Sequence, residues 1–408
     1  MKQKVAIIGG GAAGLMAAFA AAENGNDVTV FERNPRPARK VMITGKGRCN
    51  VTNNCDIETY MANTPHGSRF MYSAFSAFSC SDTIEFFEKR GVPLKTERGN
   101  RVFPVSDKAV DIVDALVSAS YKNGVKTVNA RVTEIVSENG EVTSLKTENG
   151  KEFFFDKIIL ATGGKSYPVT GSTGDGYEFA EKLGHTITAL RPSIVPIMIK
   201  ENFCSKLCGL SLKSVTLSLF KEGKKKPVYS ALGEMMFTDF GITGPLVLSA
   251  SAYIDDNPDT YTIKIDLKPG LTLEQLDKRI LRDFLEETNK DFINSLDALL
   301  PKRMISVIVK NTGIDPRKKV NSITKEERQK LVNEIKGLTL NVLRLRPIEE
   351  AVVTSGGIKL SEINPATMES KLISGLYFAG EIIDVDCFTG GFNLQTAFST
   401  GYLAGISV

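Results

Sequence analysis

The chain has 408 residues, of which 42% are hydrophobic and 24% charged, with a formal net charge of +4. The length exceeds one typical core and implies two or three domains, and the composition is that of an ordinary globular protein. The small net charge gives no whole-molecule field toward nucleic acid, and no apolar run of about 18 residues is present to span a bilayer.

The basic, apolar N-terminus superficially suggests a secretory leader, but glycines at a regular spacing interrupt it. Six scattered cysteines (Cys49, Cys55, Cys80, Cys204, Cys208 and Cys387) do not form the dense framework of a small secreted domain, so a reducing cytoplasm is expected.

In chain order, Val5 to Ile8 suits a buried parallel strand, Ala12 to Asn24 a helix stopped by Gly25, and Val28 to Phe31 a second strand. Gly9, Gly11 and Gly14 form GxGxxG at the strand–helix junction. The first glycine permits the tight turn, the second admits a pyrophosphate to the backbone, and the third lets the helix pack on the sheet. The helix-opening amides around Ala12 and Ala13 then face the phosphates. Glu32 ends the second strand with Arg33 beside it, where a carboxylate accepts the hydroxyls of an adenosine ribose. The bland alternative is a structural glycine turn, but strand, helix and acid in register favour dinucleotide binding.

Lys126 to Leu160 reads as a small antiparallel meander with turns at Asn139-Gly140 and Asn149-Gly150, ending at Thr162-Gly163-Gly164. Gly171 to Gly176 leads into a helix from Tyr177 to Leu183. An insert then begins near Pro192. Residues 192–270 read as a β-rich barrel or sandwich, with strands at Val215 to Phe220 and Tyr261 to Leu267. Residues 271–345 read as a helical subdomain: Thr272 with Gln275 and Thr324 with Glu327 are capping boxes, and Leu273, Leu276, Ile280, Phe284 and Leu285 form an apolar face, as do Leu331, Val332 and Ile335. The runs Lys221 to Lys226 and Arg317 to Lys319 read as solvated loops.

From residue 346 to 408 the glycine-punctuated pattern returns. Leu376 to Ala379 is an apolar strand ending at Gly380-Glu381, and Gly390-Gly391 opens a helix at about Asn393. An acid there suits the polyol linker of a flavin, and a helix N-terminus there stabilises negative charge on a reduced flavin ring. A nicotinamide enzyme needs neither, so the dinucleotide is read as FAD. The expected fold is α/β: a Rossmann-like FAD-binding domain built from both chain ends, residues 1–191 and 346–408, interrupted by the insert.

With these motifs in place, the chain resembles the BaiN/YhiN group of bacterial flavoproteins, a family of NAD(P)/FAD-dependent oxidoreductases. The likeness runs from end to end. It is carried by GGGAAG at Gly9 to Gly14, KVMITGKGRCNVTN at Lys40 to Asn53, ATGG at Ala161 to Gly164, FTDFGITGP at Phe237 to Pro245, TSGG at Thr354 to Gly357, and the final AGE and GGFN. The resemblance implies that Lys40, Arg48, Cys49 and Asn50 line the FAD site and that Val132 meets the adenine through its backbone, with Thr162 and Gly163 nearby. It also implies that Glu381, Asp386, Asn393 and Leu394 lie along the ribityl chain and ring. The residues alone add that Lys46 and Arg48, framed by Gly45 and Gly47, suit phosphate oxygens or an anionic flavin, against the alternative of a solvated loop.

The expected activity is hydride transfer between the flavin and a small organic substrate. Family members are linked to bile-acid reduction and to amine-type oxidation, so the resemblance fixes neither direction nor substrate. NAD(P)H is the candidate electron donor; no second GxGxxG provides it a dedicated site, so it would dock transiently beside the ring. The insert is expected to cover the ring. The alternative from another class is an FAD-holding RNA-binding or RNA-modifying protein. Cys204 and Cys208 lack the company of a metal site, and His66 and His185 show no triad-like context, so no catalytic residue is named.

Overall fold

The computed structural model describes residues 2–408. The chain divides into two units, one running to Ser193 and resuming at Pro347, the other spanning Ile194–Arg346.

In the first unit, four of the five residues of the strand Lys4–Ile8 are buried. It pairs in parallel with Asp27–Glu32 on one side and Lys157–Leu160 on the other. Leu376–Phe378 adds beyond Lys157–Leu160, and Lys126–Asn129 beyond Asp27–Glu32, giving a five-stranded parallel sheet contributed by both ends of the chain. Continuous apolar runs such as Ile158-Ile159-Leu160 form these strands because helices and loops cover both faces.

The meander expected over Lys126 to Leu160 is smaller than its sequence suggests. Only Val132–Glu138, Glu141–Thr147 and Glu152–Phe154 form it. Lys126–Asn129, mostly exposed, is tolerated as the polar edge of the parallel sheet, and Lys157–Leu160 enters its centre. At the first hairpin Asn139 and Gly140 both have positive φ, 51° and 79°, as the tight turn requires.

The helix Ala12–Glu23 crosses the sheet beside the C-terminal helix Phe392–Ser407. Gly401 and Gly405 permit that contact: a Cβ on them would stand 2.3 Å from Ala13 O and 2.5 Å from Ala17 O. Both pairings advance in the same direction, so the helices run parallel.

The second unit is a closed barrel of Ile197–Ile199, Gly241–Thr243, Tyr229–Phe237, Ser211–Lys221, Tyr261–Asp266 and Leu338–Leu345, in that order around the wall. The separate helical subdomain expected over 271–345 is corrected in two ways. Leu338–Leu345 closes the barrel, its buried Leu338, Leu340 and Val342 alternating with exposed Thr339, Asn341 and Leu343 in the two-residue period of a strand. Leu273–Glu286, Lys302–Thr312 and Lys325–Lys336 share one apolar core with the barrel, through Leu276, Ile280, Ile308 and Leu331 against Leu217, Ile263 and Leu340. Both capping boxes are present. Of the first apolar face, Leu276, Ile280 and Phe284 are buried at i, i+4, i+8, whereas Leu273 and Leu285 are exposed. Among the described residues, no helix is long and apolar enough to cross a membrane.

Candidate functional site

The turn after the first strand is shaped by contacts that exclude side chains. Gly9 has φ +105°, and a Cβ there would lie 2.5 Å from Ala161 O; one on Gly14 would lie 1.9 Å from Gly9 O. Gly11, the residue before the helix, faces open space with nothing within 4 Å. The first and third glycines therefore close the fold, and the middle one is left clear for a ligand at the positive end of the helix. Glu32, 8% exposed, locks the turn from the neighbouring strand. Its Oε2 accepts the Gly10 amide at 2.8 Å, and Oε1 accepts the Asn34 backbone and side-chain N–H groups, both at 2.7 Å. With two bonds already on Oε1, Oε2 is the oxygen that retains acceptor capacity for a ribose hydroxyl.

From this turn a cleft of about 1310 Å³, mouth included, runs through the first unit. Its walls carry Gly9, Gly11, Ala12, Ala13, Glu32, Arg33, Lys40, Val132, Thr162, Gly163, Gly380, Glu381, Asn393 and Leu394. Residues from both ends of the chain thus meet around one cavity.

The parallel helices explain its length. Ala13 packs on Gly401, so the C-terminal helix starts about eight residues before the level at which the other helix opens at Ala12, an axial offset of roughly 12 Å at 1.5 Å per residue. Two positive helix ends therefore face one cleft at separate stations, suited to two anionic parts of an extended molecule. Gly391, with φ +99°, opens the second helix where a Cβ would strike Thr52 O at 2.3 Å. Asn393 spends its amide on the segment before that helix, accepting from the Cys387 N–H at 3.0 Å and donating to Cys387 O at 2.7 Å.

Between the stations Lys40 Nζ lies 2.5 Å from Glu381 Oε2 and donates to Ser166 Oγ at 2.6 Å. Glu381 Oε1 accepts from Ser166 Oγ at 2.7 Å and the Thr354 N–H at 2.8 Å. At the Glu32 end, Arg33 and Arg131 clasp Asp175 at 2.9 and 2.8 Å. Burial alone would raise the Asp175 carboxyl, but hydrogen bonds from Thr173 and Arg131 and the charges of both arginines hold it below its usual range. Asp175 opens the helix after Gly171 to Gly176, so that glycine segment also borders the cleft.

Six of the residues expected at the cofactor lie off the cleft wall. Gly14 is beneath it, in its packing role. Arg48 is committed elsewhere: Nη2 reaches Glu97 at 2.5 Å and Asp107 at 2.6 Å, and the guanidinium stacks 4.2 Å from the Phe103 ring. It holds the Glu97 carboxyl below its usual range and, with Lys95, that of Asp107. Lys46 is exposed with φ +59°. Cys49 is fully buried, its thiol pushed up to about 12 by burial, and Cys387 likewise to about 11; neither is a thiolate at neutral pH. Asn50 carries a buried Oδ1 without a partner among the described residues. Asp386 is 0% exposed and hydrogen-bonded to His66 Nδ1 at 2.6 Å.

That last contact gives His66 a buried carboxylate partner 320 positions away. No local motif signals it. His185 is buried against Phe378 and bonded to Ser370, with burial holding its pKa down.

The family model of the HI0933-like protein Rossmann domain matches residues 3–407. A Clostridium scindens protein named 3-dehydro-bile acid delta(4,6)-reductase is 30% identical, with 98% of each chain covered. A Haemophilus influenzae protein named ribosomal RNA dihydrouridine synthase is 31% identical over 98% of this chain and 97% of its own. Among solved structures, the Rhodococcus jostii 3-ketosteroid-delta4-(5alpha)-dehydrogenase superposes with a TM-score of 0.53 at 17% identity, covering 100% of this chain and 96% of that one. That likeness is one of fold.

Proposed function

The chain belongs to the HI0933-like Rossmann-domain family, and from that premise we propose that it is an FAD-dependent oxidoreductase that saturates a carbon–carbon double bond conjugated to a carbonyl. The observation that carries the cofactor assignment is the single cleft receiving two helix N-termini roughly 12 Å apart, with Glu32 at one end and the Lys40–Glu381 pair between. The donor set fits FAD. The amides around Gly11 and Ala12 hold the pyrophosphate, Glu32 accepts the adenosine ribose hydroxyls, and Lys40 and Glu381 hold the linker. The start of the C-terminal helix favours an anionic ring. FAD, when bound, supplies hydride transfer; the chain's residues supply binding, orientation and the proton.

The reaction type is supported by two relatives whose names point to one chemistry. One is named as a reductase of a 3-dehydro bile acid. The other is named for dihydrouridine, which is uridine with the double bond beside its ring carbonyl saturated. Each product gains a hydride and a proton across a conjugated double bond. A small organic acceptor is the first reading on the strength of the reductase relative, and acidic neighbours partly offset the lysine run of the barrel. Lys221 pairs with Asp255, and Glu222, Asp256 and Asp259 lie on the same or adjoining turns. A uridine within RNA is the second, favoured by the Haemophilus relative. NADH or NADPH is the electron donor, docking transiently.

Anaerobic titration of the purified holoprotein tests this. The flavin spectrum is expected to bleach with NADH or NADPH and return on adding a 3-oxo bile acid carrying a conjugated double bond, or a uridine-containing ribosomal RNA transcript. Return with RNA alone selects the second reading. Bleached flavin that no conjugated acceptor restores contradicts the reaction type.

A further inference from the structure

His66 occupies the turn between Pro65 and Gly67, and its backbone bridges that of Asp386. Asp386 is sealed from solvent. Its Oδ2 accepts from Ser193 Oγ at 2.6 Å, and its Oδ1 from Ser355 Oγ at 3.3 Å and His66 Nδ1 at 2.6 Å. An ionised carboxyl only accepts, so Nδ1 carries a proton and Nε2 is the nitrogen that exchanges one. The imidazole is 41% exposed, so Nε2 can be recharged from water. The turn cannot drift away: a Cβ on Gly67 would lie 2.6 Å from Val385 Cγ2 and 3.1 Å from Asp384 O.

A purely structural histidine, capping a buried acid, would need no particular address. This one stands behind the cleft: neither His66 nor Asp386 is on its wall, but residues beside them are. Val385, the residue before Asp386, is part of the cleft wall, as is Val353, two residues before Ser355. Asn393, at the opening of the C-terminal helix, ties down Cys387, the residue after Asp386. The pair therefore backs the end of the cleft assigned to the ring. The charged groups facing the imidazole are Asp386 and Asp384, which favour its protonated form, and Arg191, which opposes it together with burial; the net direction is upward.

We propose that His66, oriented by Asp386, is the proton donor that accompanies hydride transfer, acting from Nε2 on the carbon next to the substrate carbonyl. The assignment rests on the conjugated-alkene reading above. In the balanced step bound, reduced FAD would supply the hydride to the far carbon as the π bond of the acceptor breaks. The displaced electron pair would take the Nε2 proton at the near carbon. The acceptor would gain the two electrons that the cofactor gives up, and the imidazolium would be left neutral until water reprotonates it.

The test uses FAD-loaded wild type, His66→Gln and Asp386→Asn, each reduced anaerobically and mixed with cyclohexenone, a conjugated 3-oxo bile acid or a uridine-containing transcript. General-acid catalysis contributes about 100- to 10,000-fold, so His66→Gln, with FAD content retained, is expected to slow reoxidation by about 100-fold or more. Asp386→Asn is expected to move the high-pH fall in rate to lower pH. A second readout is independent of turnover. The chain has 2 histidines, so imidazole NMR resolves both, and the higher-titrating signal is expected to vanish in His66→Gln and shift down in Asp386→Asn. Reoxidation of His66→Gln within about threefold of wild type, or an imidazole titration unmoved by Asp386→Asn, overturns the assignment. Wild type that no acceptor reoxidises overturns the conjugated-alkene reading, and this assignment with it.

Discussion

Two glycine-rich loops in the first unit look equally like ligand sites, and of the two only Gly9 to Gly14 lines the cleft. In Gly9 to Gly14, backbone oxygens crowd the outer glycines, while the middle one opens onto the cleft at a helix N-terminus. In Gly45 to Gly47, both glycines are left-handed, but Gly47 has nothing within 4 Å and the neighbouring Arg48 is consumed by Glu97 and Asp107. Positive φ marks a turn. What separates the two loops is that the first borders the cleft at a helix N-terminus, and that difference is three-dimensional.

Substitutions can break this contrast. Gly14→Ala carries the largest expected effect, because its methyl would stand 1.9 Å from a backbone oxygen. Colourless protein with a Tm lowered by several degrees is expected, read by absorbance and thermal melting. Glu32→Ala comes next. Losing charge-assisted hydrogen bonds worth about 1.5–3 kcal/mol should raise the FAD Kd about 10- to 100-fold, measured by titration of the apoprotein, while reduction by a nicotinamide at saturating FAD keeps its rate.

Arg48→Ala sharpens the comparison from the other side. FAD affinity is expected within about twofold of wild type, against the phosphate-binding role its sequence context suggests. Its effect is on stability against acid. Arg48 holds Glu97 and Asp107 below their usual range, so these carboxyls stabilise the fold above their unfolded pKa and lose that contribution as pH falls through the lower folded values. The variant should show a shallower acid-induced fall in Tm over that interval, and the difference should shrink in high salt because the cluster is solvent-exposed. The smallest effect is expected for Gly47→Ala: no contact is made, and only the left-handed backbone, about 1–2 kcal/mol, is opposed, with FAD content unchanged.

The same contrast explains what was legible in the chain. GxGxxG and Glu32 are local signals whose partners sit within one strand–helix–strand unit, so position in sequence is nearly position in space. Gly380, Glu381 and Asn393 were found because a second strand-and-helix pattern repeats the logic. Arg48 and Cys49 were placed on the cleft by resemblance, but Arg48 is held by Glu97, Phe103 and Asp107, residues with no sequence tie to it, and Cys49 is buried in the core. Asp386 was named for the ring, but its bond to His66 joins distant segments and leaves no periodic trace. Leu338–Leu345 did carry the alternation of a strand, and the capping boxes before it drew the helical reading too far.

The central claim is that both chain ends build one FAD cleft, closed beneath by Gly14. Reconstituting apoprotein with FAD and counting bound flavin per chain, for wild type and Gly14→Ala side by side, tests it most directly. One equivalent in wild type and none in the variant is the expected result. Wild type that stays empty, or a variant that fills as wild type does, would contradict it.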